Sequence, residues 1–256
     1  MAAAPTLALE IADGIAWATL DRPEKLNAMG PGFWAELRSV LDAVAGDDAA
    51  RVLVFRGAGR CFSVGGDIDG FGELGDVAQR RAYVAEALGA LRAVEELPKP
   101  TIAAVHGFAY GGGCELTMVC DLVVADDTAR FATPETSVGL MPGLAVVRGR
   151  AHAGLHALKY LALTGEPIDA EQARLAGLVN TVTRAGGHEA EAERLARLIA
   201  TRAPLALAAA KRILQRGSDD GYAYAIEAVS LLQSTDDHAE GLAAFAARRD
   251  PRFHGR

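Results

Sequence analysis

Long apolar runs are missing from this chain of 256 residues. Half of the residues are apolar, yet no run approaches the roughly 18 that a membrane helix requires. An excess of positive charge is missing too. Lysine and arginine number 26 against 33 aspartates and glutamates, for a net charge of −7. That excludes a general binder of nucleic acid or anionic membrane, while leaving room for a local basic patch on one phosphorylated ligand. Cysteine is scarce: Cys61, Cys114 and Cys120 are odd in number and show no metal-ligand spacing. They read as reduced thiols of a cytosolic protein. The N-terminal M-A-A-A-P-T-L-A-L-E lacks the basic start and apolar run of a signal peptide. G-x-G-x-x-G between strand and helix, G-K-[ST] and H-E-x-x-H are all absent. His152 and His156 stand four apart in H-A-G-L-H with no third ligand, so no metal is expected. The expectation is a soluble, cytoplasmic protein without nucleic-acid or membrane partners.

What is present divides the chain in two. L-A-L-E-I-A-D-G-I-A-W-A-T-L-D-R-P reads as a hairpin turning at Asp13-Gly14. The spacing of Phe33, Trp34, Leu37, Val40, Leu41 and Val44 predicts a helix over 31–45, stopped by Gly46. R-V-L-V-F-R (51–56) is a buried type of strand, followed by a glycine-dense connection over 57–70. An amphipathic helix over 78–97 ends at Pro98 and Pro100, and strands follow at 101–106, 122–125 and 129–132. This alternation indicates an α/β core. From Glu189 the strand-like runs vanish and alanine-rich helical patterns continue to about Arg249. The division is therefore a core at 1–188 and a helical region at 189–256, docked on the core or on a neighbouring subunit.

The chemistry concentrates at glycines. G-F-A-Y-G-G-G-C-E-L (107–116) sets three glycines between a strand and a helix starting near Gly112, and F-S-V-G-G-D-I (62–68) forms an earlier corner of the same kind. Three glycines in a row cost backbone entropy. A phosphate loop, a packing corner and an oxyanion site are the alternatives. The last is favoured by unpaired amides at a helix start, close backbone approach, and a helix dipole facing developing negative charge. Glu115 just inside the helix and Glu135 after Pro134 are either dipole partners of helix starts or a working pair of carboxylates.

C-F-S-V-G-G-D-I-D, K-P-T-I-A-A-V-H-G-F-A-Y-G-G-G-C-E-L-T-M-V-C-D-L and A-R-F-A-T-P-E-T-S-V-G-L-M-P-G together closely resemble the crotonase family, the enoyl-CoA hydratase/isomerase superfamily. The likeness runs from D-R-P-E-K-L-N-A (21–28) through L-T-G-E-P-I-D-A-E-Q-A (163–173) and G-L-V-N (177–180). It ends at E-G-L-A-A-F-A-A-R-R-D-P-R-F (240–253). The resemblance implies a spiral of ββα repeats with a C-terminal helical trimerisation region, as a homotrimer or a dimer of trimers. It implies oxyanion-hole amides at Gly66 and Gly112. It also implies a catalytic glutamate pair, with Glu115 holding and activating a water and Glu135 transferring the proton to C2 of a 2-trans-enoyl-CoA. Coenzyme A enters only as part of the substrate, and no other cofactor is implied.

For the coenzyme A moiety the resemblance points to Lys25 near the phosphates, to backbone around Leu26 and Ala28, and to Asp67 and Ile68 along adenine and pantetheine. Phe245 and Arg248 would close over the nucleotide of a neighbouring subunit, with Arg248 standing where lysine is frequent. One segment departs from the family. After M-P-G, A-G-G-T-Q-R-L is usual; here L-A-V-V-R-G-R-A-H follows and the segment is about one residue short. Leu144, Ala145 and Val146 add bulk on the acyl side, which opens the chain-length preference. A Δ3-Δ2-enoyl-CoA isomerase or another acyl-CoA enzyme using one glutamate as base stays an alternative to the hydratase, as does a non-catalytic acyl-CoA-binding protein.

Overall fold

The computed structural model describes residues 6–30, 32–67, 76–216 and 235–256. β1 (Leu7–Ala12) and β2 (Ile15–Leu20) form the antiparallel hairpin read at Asp13-Gly14. Both turn residues have positive φ, 52° and 82°, as a tight primed turn demands. α1 (Phe33–Gly46) buries the six apolar residues that predicted it. β3 (Val52–Gly57) and α2 (Val77–Glu96) follow, the latter N-capped by Asp76, whose carboxylate accepts from the Gln79 amide.

The next turn of the spiral is β4 (Thr101–Val105), β5 (Phe108–Tyr110) and α3 (Gly112–Val119). After it come β6 (Leu122–Asp126), β7 (Arg130–Ala132) and a 3₁₀ turn at Pro134–Val138. The chain then passes through α4 (Ala145–Arg148), α5 (Leu155–Thr164), β8 (Ile168–Asp169), α6 (Ala170–Ala176) and β9 (Thr181–Thr183). α7 (His188–Ala200), α8 (Pro204–Arg216) and α9 (Asp236–Ala247) form the helical C-terminal region.

The strands make two layers. The larger sheet runs β1-β2-β3-β4-β6-β9, parallel after the first pair, and the smaller runs β5-β7-β8. Two isolated parallel bridges, Ser63 with Ala109 and Met29 with Gly66, extend the smaller layer toward the N-terminal half. Each turn of the spiral thus lays one strand in the large sheet and a short stretch in the small one, then enters a helix. The glycine corners adjoin these short stretches of the small layer.

Alternation along the central strands explains why both faces of the large sheet are buried. Leu53 and Phe55 of β3 and Ala103 and Val105 of β4 point into the main core with α1, α2 and α3. Val52, Val54, Ile102 and Ala104 point the other way, against Ala192 and Ala196 of α7. α7, grouped from sequence with the C-terminal region, therefore packs on the core sheet. Among the described residues, no helix is long and apolar enough to cross a membrane.

Candidate active site

The two glycine corners meet. Gly65 has φ +88°, and a side chain there would have its Cβ 2.6 Å from the Tyr110 carbonyl oxygen and 2.8 Å from the Gly112 nitrogen. Only glycine fits both the dihedral and the approach. A Cβ on Gly112 would in turn sit 3.8 Å from the Gly66 nitrogen, so the two amides named from the sequence are neighbours. Among the described residues neither Gly66 N–H nor Gly112 N–H donates a hydrogen bond. For Gly112 this follows from its place at the start of α3, whose first amides have no intrahelical acceptor.

Glu115 lies one turn into α3, its amide donating to the Gly111 carbonyl at 2.9 Å. Its side chain is buried. Oε1 accepts from the Leu144 amide at 2.6 Å and from the Ala145 amide at 3.0 Å. Burial raises its pKa, and these two N–H bonds, which favour the ionised form, pull it back. Leu144 and Ala145 are themselves buried, whereas Val146 is 43% exposed. The segment that departs from the family thus supplies the two amides that hold Glu115. Sequence reading noticed its side chains and not its backbone, because any residue but proline brings an N–H.

Glu135 comes from the 3₁₀ turn after β7. Its Oε1 lies 3.3 Å from where a Cβ on Gly111 would be, against the corner that opens α3. Its Oε2 is buried with no hydrogen-bond partner among the described residues. Burial pushes this carboxyl up to about 7; its own backbone amide lowers it and the charge of Glu115 adds to the rise. The two carboxylates feel each other's charge, and Glu115 is the one held by two amides from a distant segment, whereas Glu135 has only its own amide to favour the anion.

Of the residues named for coenzyme A, Leu26 and Asp67 adjoin the first glycine corner. Lys25 is exposed at the end of a 3₁₀ turn (Pro23–Lys25), and Leu26 follows with φ 54°. Leu26 accepts the Val64 amide at 3.1 Å, while Ala28 is buried and its carbonyl faces Arg22 Nη1 at 3.4 Å. Asp67 donates its amide to the Met29 carbonyl at 3.0 Å, and its carboxylate is held by Arg22 Nη1 at 2.6 Å. Its backbone, rather than its charge, is what this loop can offer a ligand. Ile68 lies outside the described residues, as does the side chain of Phe245. The Phe245 backbone belongs to α9, and Arg248 follows it with φ 51°.

Arg22 and Asn27 hold this loop in place and were passed over in the sequence. Asn27, at φ 57°, accepts the Arg22 amide on Oδ1 at 2.9 Å, and its Nδ2 reaches the carbonyls of Ala58, Cys61 and Phe62. It ties the Lys25 turn to the first glycine corner. Among the described residues no group of three His, Cys, Asp or Glu is placed to hold a metal ion. His152 ends a 3₁₀ turn while His156 lies in α5, so the two do not share a helix.

Comparison with known proteins decides the family. The sequence profile described as "Enoyl-CoA hydratase/isomerase" matches residues 10–256. The chain belongs to the enoyl-CoA hydratase/isomerase family. It is 37% identical, over 93% of its length and 94% of the relative's, to the 2,3-dehydroadipyl-CoA hydratase of Escherichia coli K12. To the short-chain-enoyl-CoA hydratase of Clostridium acetobutylicum it is 33% identical, covering 94% of each. Among solved structures, the enoyl-CoA hydratase from Bacillus anthracis superposes with a TM-score of 0.93 at 29% identity, over 98% of this chain and 100% of that one. The crotonase-type spiral expected from the motifs is thus the fold of this family member.

Proposed function

We propose that the chain is an enoyl-CoA hydratase acting on a 2-trans-enoyl-CoA. The observation that carries the reading is the opposed surroundings of two neighbouring carboxylates beside two unpaired amides. Glu115, stabilised as the anion by the Leu144 and Ala145 amides, takes a proton from a water. The resulting hydroxide adds to C3, and the C2–C3 π pair moves through the thioester to its oxygen. Gly66 and Gly112 N–H receive that developing charge. Glu135, carrying the proton that burial favours, delivers it to C2 as the enolate collapses. The net change is one water added, OH to C3 and H to C2. The proton left on Glu115 returns to Glu135 through solvent as the product leaves.

In the same reading Lys25 lies near the coenzyme A phosphates, with the backbone of Leu26, Ala28, Asp67 and Ile68 along adenine and pantetheine. Phe245 and Arg248 serve the site of a neighbouring subunit in a homotrimer or a dimer of trimers in the cytoplasm. Coenzyme A is needed only as part of the substrate. The test is the ultraviolet absorbance of a 2-enoyl-CoA. A hydratase removes it. An isomerase leaves it unchanged and instead creates it from a 3-enoyl-CoA, and a binding protein does neither.

A further inference from the structure

Ser63 is bonded to both glycine corners and to the turn that carries the Lys25 segment. It is fully buried. Its amide donates to the Phe108 carbonyl at 2.8 Å, and its carbonyl accepts the Tyr110 amide at 2.9 Å, so its backbone is clamped to β5, the strand that leads into Gly111–Gly113. Its hydroxyl faces the other way. Oγ donates to the Asn27 carbonyl at 2.8 Å and accepts the Gly65 amide at 3.1 Å. Its Cβ packs so tightly on α3 that a methyl on Gly113 would lie 2.9 Å from it and 2.6 Å from the Ser63 carbonyl oxygen.

The aim of the Gly66 N–H depends on this. The carbonyl of Gly65 is held by the Met29 amide at 2.8 Å. In a trans peptide the N–H of the following residue points opposite to that carbonyl, so Met29 on one side turns Gly66 N–H away on the other. The next peptide back would be free to rotate about Gly65, whose φ of +88° only glycine tolerates well. The Ser63 hydroxyl stops that rotation by holding the Gly65 N–H. The same side chain thus fixes one amide donor while its backbone, through Tyr110, fixes the strand that delivers the other.

We propose that Ser63 is a positioning residue that sets the spacing and direction of the Gly66 and Gly112 amides, and that its hydroxyl acts on the transition state rather than on substrate affinity. The inference rests on the oxyanion role given to those amides in the proposed function. A serine hydroxyl bonded on both sides holds a small, otherwise flexible loop, and sub-ångström placement of such donors is what preorganised stabilisation requires.

The experiment uses Ser63→Ala in the full-length protein with two readouts. The first is steady-state hydration: kcat should fall about tenfold, less than the roughly 10²–10³ lost when an oxyanion donor is removed outright, with KM little changed. The second is the isotope-edited infrared band of the thioester carbonyl in bound butyryl-CoA, which cannot be hydrated. The band should shift to lower frequency on the wild type, and in Ser63→Ala the shift should be smaller and the band broader. An unshifted band on the wild type would overturn the oxyanion reading itself. A wild-type shift retained in full by Ser63→Ala, with unchanged kcat, would overturn only the role of Ser63. Should Ser63→Ala not fold, Ser63→Cys keeps a weaker acceptor of similar shape and is expected to show an intermediate shift and kcat; wild-type values would contradict the proposal.

Discussion

The carboxylate of Glu115 is held by the amide of Leu144, 2.6 Å from Oε1, across 29 positions of sequence. The stretch expected to add bulk on the acyl side thus also supplies backbone support for Glu115. It also separates the two glutamates chemically, since Glu135 has no comparable donor for its buried Oε2.

The pH dependence of turnover follows from that separation. Hydration needs one proton on the glutamate pair, and dehydration needs the same single proton on the other member. Because burial holds Glu135 up to about 7, kcat/KM should decline as pH rises past about 7. It should decline by the same profile in both directions, since no net proton is consumed. Initial rates measured from pH 5 to 9 in each direction check this. A plateau extending to pH 9 would contradict the assignment of Glu135 as the proton donor.

Stability should weaken in mild acid through His188. This buried ring stacks on His106 with centroids 4.7 Å apart, and its Nδ1 lies 3.3 Å from Asp126 Oδ2, outside hydrogen-bond geometry. Burial lowers its pKa below the usual 6.5; neighbouring His106 lowers it further, while Asp126 and Glu189 oppose the shift. The unfolded chain therefore binds the proton first as pH falls. The stabilisation is complete above about pH 6.5 and is lost as pH drops below it, by at most about 1.4 kcal/mol per pH unit for one such group. Thermal melts between pH 8 and 5 should show the decline, and His188→Gln should flatten it.

Gly113→Ala should damage both stability and turnover. Its new Cβ would meet the Ser63 carbonyl oxygen at 2.6 Å, and backbone cannot swing aside as a flexible side chain can. A cost of about 1–3 kcal/mol is expected from overpacking, together with displaced amide donors. Denaturant titration and kcat on the same preparation check the two effects. A Cβ on Gly46, within α1, meets nothing within 4 Å, so Gly46→Ala is the matched control and should lower neither.

Lys211→Ala should destabilise the attachment of α8. Lys211 Nζ lies 2.7 Å from Asp121 Oδ2 and donates to the Lys99 carbonyl at 3.1 Å. Asp121 also accepts from the amide and hydroxyl of Thr101 at the start of β4. Removing the lysine leaves a partly buried carboxylate short of its cation, at about 2–4 kcal/mol. The denaturation midpoint should fall with an unchanged slope.

How much of this was legible in the sequence depends on whether a side chain or a backbone group does the work. α1 was readable from the spacing of Phe33 to Val44, and the corners from Gly65-Gly66 and Gly111–Gly113, because apolar periodicity and left-handed backbone leave a residue-type signature. Glu115 and Glu135 were named from the resemblance, at the two positions where it implies a catalytic pair. The Leu144 and Ala145 amides could not be named, since an N–H has no signature and only the fold brings it to Oε1. β5, β8 and β9 are two or three residues long, too short to show a period of two. Asn27 and Ser63 were visible as letters within recognised motifs, but the side-chain bonds that join the Asn27 turn to the first glycine corner span 31 to 36 positions and no local pattern announces them.

The most direct measurement of the central claim is the rate at which crotonyl-CoA and a longer 2-enoyl-CoA lose their double-bond absorbance with the wild type, Glu115→Gln and Glu135→Gln, alongside thioester binding by each protein. The account predicts hydration by the wild type and a fall of at least about 10² in kcat in either variant, with binding retained. Hydration that survives in either variant, or a wild type that binds both thioesters and hydrates neither, would contradict it.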